Sequence, residues 1–476
     1  MRTPSTVTTS TTLDAERLRV ELSDRGQGHL LGFWDELDLS GRDQLWRELS
    51  ELDLNLVNHL MDVAASPASP TEAPEISPPE TVTLADVEAN GERIKEARAA
   101  GEAALAAGRV GLVLVAGGQA SRLGCDGPKG DFPVGSVSGY TLFELHARRI
   151  LRLTRTYEVS VPWYVMTSPA NHIRTQEIFE ANSYFGLERE DVFFFCQKML
   201  PALDRDGRVL MKGKGELFLA PNGHGGVLEG LASSGCLEDS RARGVDTLSY
   251  FQVDNPLVRP ADELFIGLHR LAGADMSSKV VKKASAQEKV GVLGHVNGKL
   301  GCIEYSDMPE DLLQRRDETG ALVFSAGNIA VHAINVEFIS QIIEGGLRLP
   351  WHVARKKISS LDASGAPCER EGMKFETFVF DALGLASKSV TLEVSREMEF
   401  APVKNRQGGD SPDTARALMC DLHSDWAKRA GMPLPPVGED GVTSVEVDPL
   451  LAETFEDFKA AMPRAPLVSE EGHLYH

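Results

Sequence analysis

The chain has 476 residues, 42% of them hydrophobic and 25% charged, with a formal net charge of −21. That length supports one large core plus accessory regions. No apolar run is long enough to cross a bilayer, and so acidic a balance excludes a surface that coats DNA or RNA. Nucleotides remain admissible, because a nucleotide pocket needs only a few local cations.

Residues 1–12 carry one basic residue, Arg2, and lack the apolar segment of a secretory signal, so they read as a disordered tail. From Leu13 to Val63 apolar residues recur at helical spacing, as in Leu18, Leu22, Leu45, Leu49, Leu52 and Leu56, which predicts a small N-terminal helical unit. Residues 64–80, AASPASPTEAPEISPPE, have almost nothing to bury and read as a Pro-rich linker. A helix is expected from Val87 to Ala107, ending at Gly108. Strand-like and helix-like runs then alternate across 84–390, the expected catalytic domain. The strands are Val110–Ala116, Trp163–Thr167, Val192–Gln197, Thr247–Val253, Ser278–Lys282, Gly291–Val296 and Phe378–Phe380. The helices include Leu142–Leu153, Ile173–Phe179 and Gly226–Ala232. Such alternation indicates an α/β fold with a mostly parallel sheet flanked by helices. Residues 391–476 read as an appended C-terminal α/β region, whose helix starts with Ser411 as N-cap and Pro412 at its first position. There is no internal repeat. The six cysteines are scattered without a CxxC pair, which fits a reduced, cytoplasmic protein.

The stretch VGLVLVAGGQASRLGCDGPKG, residues 110–130, is the most informative. A buried strand runs into a glycine-rich loop whose backbone N–H groups can turn toward one point and form a nest for anionic oxygens. Arg122 and Lys129 add positive charge there, which points to a polyphosphate site at the carboxyl end of a strand. A P-loop fails, because Pro128 precedes and Gly130 follows Lys129 where Gly-Lys-Ser/Thr is needed. The dinucleotide pattern GxGxxG fails after Gly117-Gly118, and a GxSxG elbow fails because Gly135-Ser136-Val137-Ser138-Gly139 has Val137 at its centre.

Other candidates are less specific on their own chemistry. Gln197 ends a β-like run and fits either a backbone-satisfied amide or the imide edge of uracil. Glycines in Pro221-Asn222-Gly223-His224-Gly225-Gly226 fit either a surface turn or close approach of backbone to a flat base. Asp254 ends an apolar strand and fits either a turn cap or a magnesium ligand, since that ion takes one or two carboxylates plus phosphate oxygens and water. Asp381 ends another strand-like run and could add a second carboxylate.

In order, Gly117-Gly118, Ser121-Arg122-Leu123-Gly124 and Pro128-Lys129-Gly130 resemble the signature of sugar-1-phosphate nucleotidyltransferases, with Ala120 where that family usually has Gly. Phe194-Phe195-Cys196-Gln197, Met199-Leu200-Pro201-Ala202, Ala220–Gly226, Val253-Asp254-Asn255, Ile303-Glu304-Tyr305-Ser306, Gly327-Asn328-Ile329, Met373-Lys374-Phe375-Glu376, Phe378-Val379-Phe380-Asp381 and Pro402-Val403-Lys404-Asn405 follow in the order seen in eukaryotic-type UDP-N-acetylhexosamine pyrophosphorylases. That resemblance covers about residues 105–430 and implies a Rossmann-like nucleotidyltransferase (GT-A-like) fold with a mixed, mostly parallel sheet. It implies UTP and a sugar 1-phosphate as substrates, UDP-sugar and pyrophosphate as products, Mg2+ as cofactor, and no nucleic-acid or membrane partner. Arg122, Lys129 and Lys404 are the implied catalytic residues. Ala116, Gly117, Gly118, Gln197, Pro221, Asn222, Gly223, His224 and Asp254 would hold the nucleotide, Asp254 also the metal. Glu304, Asn328, Lys374, Phe378 and Phe380 would face the sugar. His224 stands where hexosamine enzymes usually carry Asn and where glucose-1-phosphate and broad UDP-sugar relatives carry His. It is expected to hydrogen-bond near the uridine or sugar and not to act as acid or base. The leading expectation is N-acetylglucosamine 1-phosphate as acceptor. The alternatives are a glucose-1-phosphate or broad UDP-sugar pyrophosphorylase, a silent nucleotide-sugar sensor, and a UDP-sugar-using glycosyltransferase; the last is disfavoured because Asp254-Asn255 offers no DxD pair.

Overall fold

A computed structural model describes residues 8–65, 74–438, 441–461 and 466–476. The expected tail falls outside them up to residue 7, and a helix already starts at Thr8. Residues 66–73 of the expected Pro-rich linker also fall outside. Two compact units divide the chain, and the division is not the contiguous one that composition suggests. The larger comprises Glu72–Gln197, Val227–Leu349 and Val379–His476; the smaller comprises Lys198–Gly226, Pro350–Phe378 and the described residues before Thr71.

The larger unit is built on strands β1 (Thr81–Val82), β2 (Val110–Val115), β3 (Trp163–Thr167), β4 (Val192–Cys196), β5 (Thr247–Gln252), β6 (Met276–Lys282), β7 (Ala326–Asn335) and β8 (Thr391–Glu393). Their order across the sheet is β1-β8-β6-β7-β5-β2-β3-β4. Neighbours pair in parallel except at β7, which runs antiparallel to both β5 and β6. The strands form where short apolar runs meet turn residues: Trp163, Tyr164, Val165 and Met166 of β3 are all fully buried, as expected of a strand covered on both faces. Helix Leu142–Tyr157, capped by the Thr141 side chain, buries Phe143, Leu145 and Ile150 on this sheet. Helices Glu92–Ala106 and Glu263–Ala272 cross at two glycines, because a Cβ on Gly101 or Gly267 would overlap the facing backbone.

The segment from residue 391 is not a separate region. Strand β8 pairs with β6, and helix Pro412–Arg429 buries Ala415 and Met419 in the main core. Ser411 and Thr414 form its capping box, with Pro412 in the first turn. Only the last part, with strands Val445–Val447, Leu467–Ser469 and Gly472–Tyr475, adds a small sheet and core of its own around Trp426 and Phe458.

In the smaller unit, helices Leu39–Glu51 and Leu54–Ala65 bury Leu45, Leu49, Val57 and Leu60 against Leu203, Val209, Met211, Leu217, Met373 and Phe375. An antiparallel hairpin, His352–Leu361 with Pro367–Glu376, supplies Met373 and Phe375, and segment 198–226 supplies the rest. The N-terminal helices need an apolar partner for their inner faces, and strands from two distant stretches provide it. Segments 198–226 and 350–378 therefore leave the expected catalytic domain and join the helical unit.

Candidate active site

Four adjacent parallel strands, β5, β2, β3 and β4, end at one edge of the sheet, and of the expected nucleotide residues Ala116, Gly117, Gly118, Gln197 and Asp254 lie at the ends of three of them. The loop after β2 is pinched at its neck. Gln119 and Pro128 form an isolated bridge, and the Lys129 N–H donates to Gly118 O at 3.0 Å. Gly124 closes the tip with φ of +83°, where any other residue would be strained. At the neck the carbonyls are all occupied. Asn171 Nδ2 donates to Ala116 O at 2.9 Å and to Gly118 O at 3.3 Å, and Ser168 Oγ donates to Gly117 O at 2.8 Å. In a planar trans peptide each N–H points opposite the preceding carbonyl. The N–H groups of Gly117, Gly118 and Gln119 are therefore turned away from Ser168 and Asn171, as an anion nest requires.

Gln197 follows β4 and its N–H donates to Thr167 O at 2.9 Å. Its buried amide lies against the loop, so close that a Cβ at Gly117 would stand 2.9 Å from Oε1. Nothing lies within 4 Å of the corresponding point at Gly118. The two glycines thus have different uses: Gly117 makes room for Gln197, and Gly118 leaves its surroundings open. Arg122 is exposed beyond the neck. Lys129 Nζ stands 3.3 Å from Asp254 Oδ2, with the two side chains only 18% and 13% exposed. Asp254 follows β5, and its backbone carbonyl accepts from Val403 N–H at 2.8 Å. Lys404 is brought beside the same strand end, where Gln252, Asp254, Asn328, Pro402 and Lys404 line one narrow cleft. Two lysines, an arginine, a carboxylate and a nest of amides at one sheet edge can bind and orient phosphates.

Asn328 enters from the start of β7. Its Oδ1 accepts from Ala330 N–H at 3.0 Å, and its Nδ2 faces Cys302 Sγ at 3.6 Å. Glu304 follows strand Lys299–Ile303, and a Cβ on Gly291 would lie 3.3 Å from its Oε1. Phe378–Phe380 is not a strand. Val379–Gly384 is a 3-10 helix with Phe380 buried in it, because Ala382-Leu383-Gly384 turns the chain back at once. Asp381 accordingly sits in a helical first turn and not at a strand end; burial, then the charge of Glu304 and least that of Asp381, push the Cys302 thiol up.

The remaining expected residues, Pro221, Asn222, Gly223, His224, Lys374 and Phe378, belong to the smaller unit. The glycines of this turn serve packing first. Gly223, with φ of +80°, and Gly225 press on Thr377, and Gly226 abuts the Asn222 side chain. Gly225 N–H donates to Thr377 O and Thr377 N–H to Asn222 O, both at 2.8 Å. The space that these three glycines leave is taken up by Thr377, directly after the hairpin, and by the Asn222 side chain. Phe378 packs on two imidazoles, with ring centroids 5.1 Å from His224 and 4.2 Å from His352. Burial, then the charge of His352, lowers the His224 pKa to about 4, so it is neutral at pH 7. Lys374 holds its Nζ 4.7 Å over the Phe218 ring, its pKa lowered by burial and by Lys356.

Ser168 and Asn171 shape the neck, yet sequence reasoning overlooked them. The available signal was Ser-Pro-Ala-Asn directly after β3, a polar turn at a strand's carboxyl end.

The model of the family described as UTP–glucose-1-phosphate uridylyltransferase matches residues 67–474. The chain belongs to that family. This uridylyltransferase is 38% identical to UDP-N-acetylhexosamine pyrophosphorylase-like protein 1 of Xenopus tropicalis, over 88% of this chain and 85% of that one. It is 37% identical to UDP-N-acetylglucosamine diphosphorylase 2 of Arabidopsis thaliana, over 92% and 90%. It is 32% identical to UDP-N-acetylglucosamine pyrophosphorylase of Saccharomyces cerevisiae, over 96% and 100%. The crystal structure of the uridine diphosphate N-acetylglucosamine pyrophosphorylase from Trypanosoma brucei in complex with inhibitor is similar with a TM-score of 0.81 and 28% identity, over 95% of each chain. A UDP-glucose phosphorylase from the same organism, at 18% identity and a TM-score of 0.58 over 87% and 86%, shares the fold.

Proposed function

We propose that this uridylyltransferase converts UTP and N-acetylglucosamine 1-phosphate into UDP-N-acetylglucosamine and pyrophosphate, reversibly. The observation that carries it is the convergence of the Gly117–Lys129 loop, Gln197 and Asp254 on adjacent strand ends. The names of relatives at 32–38% identity over nearly the whole chain support the N-acetylated sugar over glucose. An oxygen of the sugar phosphate attacks the α-phosphorus of UTP in line; the bond from that phosphorus to the bridging oxygen breaks, and pyrophosphate leaves. The nucleophile is already anionic, so no strong base is needed, and His224, neutral at pH 7, is not asked to be one. The chain's contribution is positioning and charge stabilisation.

Arg122 holds the β- and γ-phosphates, Lys129 the α-phosphate, and Lys404 steadies the incoming phosphate. Gln197 pairs with the imide edge of uracil while the N–H groups of Gly117 and Gly118 face the phosphates. Asp254 suits magnesium: a single carboxylate suffices when substrate oxygens and water complete the shell. Among the described residues no group of three His, Cys, Asp or Glu side chains forms an all-protein site. When bound, magnesium would neutralise charge on the phosphate oxygens. Lys129, which pairs with Asp254 here, then has the α-phosphate as its partner. Glu304, Asn328 and Phe380 are assigned to the sugar. In the smaller unit, the flat His224–Phe378 stack suits a base or sugar ring, and Lys374 an anionic group. Among the described residues no helix is long and apolar enough to cross a membrane, and six free cysteines support a reducing, cytoplasmic setting.

Pyrophosphate release from UTP with a panel of sugar 1-phosphates tests this reading. N-acetylglucosamine 1-phosphate is expected to give the highest kcat/KM. Preference for glucose 1-phosphate would replace it with the hexose reading that His224 favours, and no release with any sugar would leave the sensor.

A further inference from the structure

One fully buried cation has no part in this chemistry. Lys279, on β6, has no exposed surface, and its Nζ lies 2.6 Å from Glu399 Oε2 and 2.8 Å from Asp262 Oδ2. Burying an ammonium with two carboxylates is costly in desolvation, and well-packed apolar side chains are often at least as stable. Such a cluster is better explained by fixing a geometry than by stability.

What it fixes is the segment that carries Lys404. Glu399 ends a short helix, Arg396–Glu399, just before Phe400-Ala401-Pro402-Val403-Lys404. Its carboxylate is held by Lys279, and its carbonyl accepts from Asn255 Nδ2 at 2.7 Å. Asn255 Oδ1 in turn accepts from Ala401 N–H at 3.0 Å. Two residues on, Val403 N–H donates to Asp254 O at 2.8 Å. A chain of contacts therefore runs from the buried ammonium, through Glu399 and Asn255, to the residue pair that flanks the expected metal and the incoming phosphate. Asp262 is anchored independently, as its other oxygen caps helix Glu263–Ala272 through Leu264 N–H at 3.0 Å.

We infer that Lys279 is a positioning residue for transfer: with Glu399 and Asn255 it holds Ala401–Lys404 against the end of β5, setting where Lys404 meets the sugar phosphate. The inference rests on the assignment of Lys404 made above. The neck of the nucleotide loop after β2 is tied separately, to Ser168 and Asn171, and its Lys129 side chain reaches the Asp254 carboxylate.

The test compares Lys279→Met, Glu399→Gln and Lys404→Ala in the full-length enzyme, with initial rates in both substrates and deuterium uptake of peptides covering Ala401–Val403 and Lys129. For Lys279→Met and Glu399→Gln the expected results are a rise in KM for N-acetylglucosamine 1-phosphate of about tenfold or more, a KM for UTP within about twofold of wild type, and about tenfold faster exchange at Ala401 and Val403 with Lys129 unchanged. Glu399→Gln keeps its volume and a hydrogen-bond acceptor, so it decides the matter if Lys279→Met does not fold. Unchanged protection at Ala401 and Val403, or equal rises in both KM values, would overturn the brace. If Lys404→Ala is impaired while Glu399→Gln is normal, the brace alone fails; if Lys404→Ala leaves the sugar-phosphate KM unaltered, the role of Lys404 fails first.

Discussion

Replacing Lys129 with Met separates the fold from the chemistry. The side chain keeps its length and loses its charge, and the backbone N–H that closes the loop neck on Gly118 O is untouched. In the free enzyme the loss is one ion pair at 3.3 Å between side chains 18% and 13% exposed. Most of the pair is out of water, so removing the cation leaves the Asp254 carboxylate unpaired, at a cost of about 1–3 kcal/mol. In a chain of this size that lowers the melting temperature by no more than about 3 °C. On the proposed pathway the same ammonium faces the α-phosphate, where charge builds as the bond to pyrophosphate breaks. Removing one such donor costs about 10²–10³ in kcat, or roughly 3–4 kcal/mol. Differential scanning fluorimetry with pyrophosphate-release kinetics at saturating substrates reads both effects. A kcat within about threefold of wild type would refute the role of Lys129, since a contact to developing charge is typically worth about 10²–10³. Unfolding that matches the lost activity would make the pair structural.

Gly117→Ala should raise KM for UTP about 5- to 100-fold by displacing the Gln197 amide and its hydrogen bonds. Gly118→Ala should melt like wild type, because its Cβ enters open space, yet bind UTP more weakly; UTP affinity equal to wild type in Gly118→Ala would contradict the nest. His224→Asn should leave the acid limb of the kcat–pH profile in place, because His224, with its pKa near 4, does not titrate there while substrate phosphates do, near pH 6. A shifted limb would make His224 a proton carrier. Burial lowers the pKa of His146 to about 3 and of His269 to about 4. Both are neutral when folded and protonate near 6.5 when unfolded, so stability is fully present above 6.5 and lost as pH falls toward 4. Each contributes up to about 1.4 kcal/mol per pH unit; a melting temperature that rises between pH 6.5 and 5 would disagree.

Local signals were legible wherever the chain's own neighbours decide the outcome. The run Val110–Val115 is short, apolar and bounded by glycine, and it is a central strand. Ser411-Pro412 marks a helix start through capping chemistry that needs no tertiary partner. Gln197 and Asp254 were readable because each comes at the end of such a strand, and Arg122 and Lys129 because they lie in the glycine-rich loop that follows one. Long-range pairing was not readable. Strand β7 carries polar residues such as Asn328, His332 and Asn335 that blur its period, and only its neighbours β5 and β6 make it a strand. The partners of the N-terminal helices lie about 150 and 300 residues away, so contiguous boundaries misplace them. Phe378–Phe380 has β propensity, but local turn formation overrides it. Lys279 looks like any lysine in a sequence, and only its burial beside Glu399 gives it meaning.

The most direct measurement follows the α-phosphorus itself. UTP labelled at that position is mixed with enzyme, magnesium and N-acetylglucosamine 1-phosphate, and the products are separated. The account predicts that the label moves into UDP-N-acetylglucosamine with one unlabelled pyrophosphate released per transfer, and that Lys129→Met slows this without changing its products. Label that stays in UTP, or that appears in UMP or UDP without a sugar attached, would contradict it.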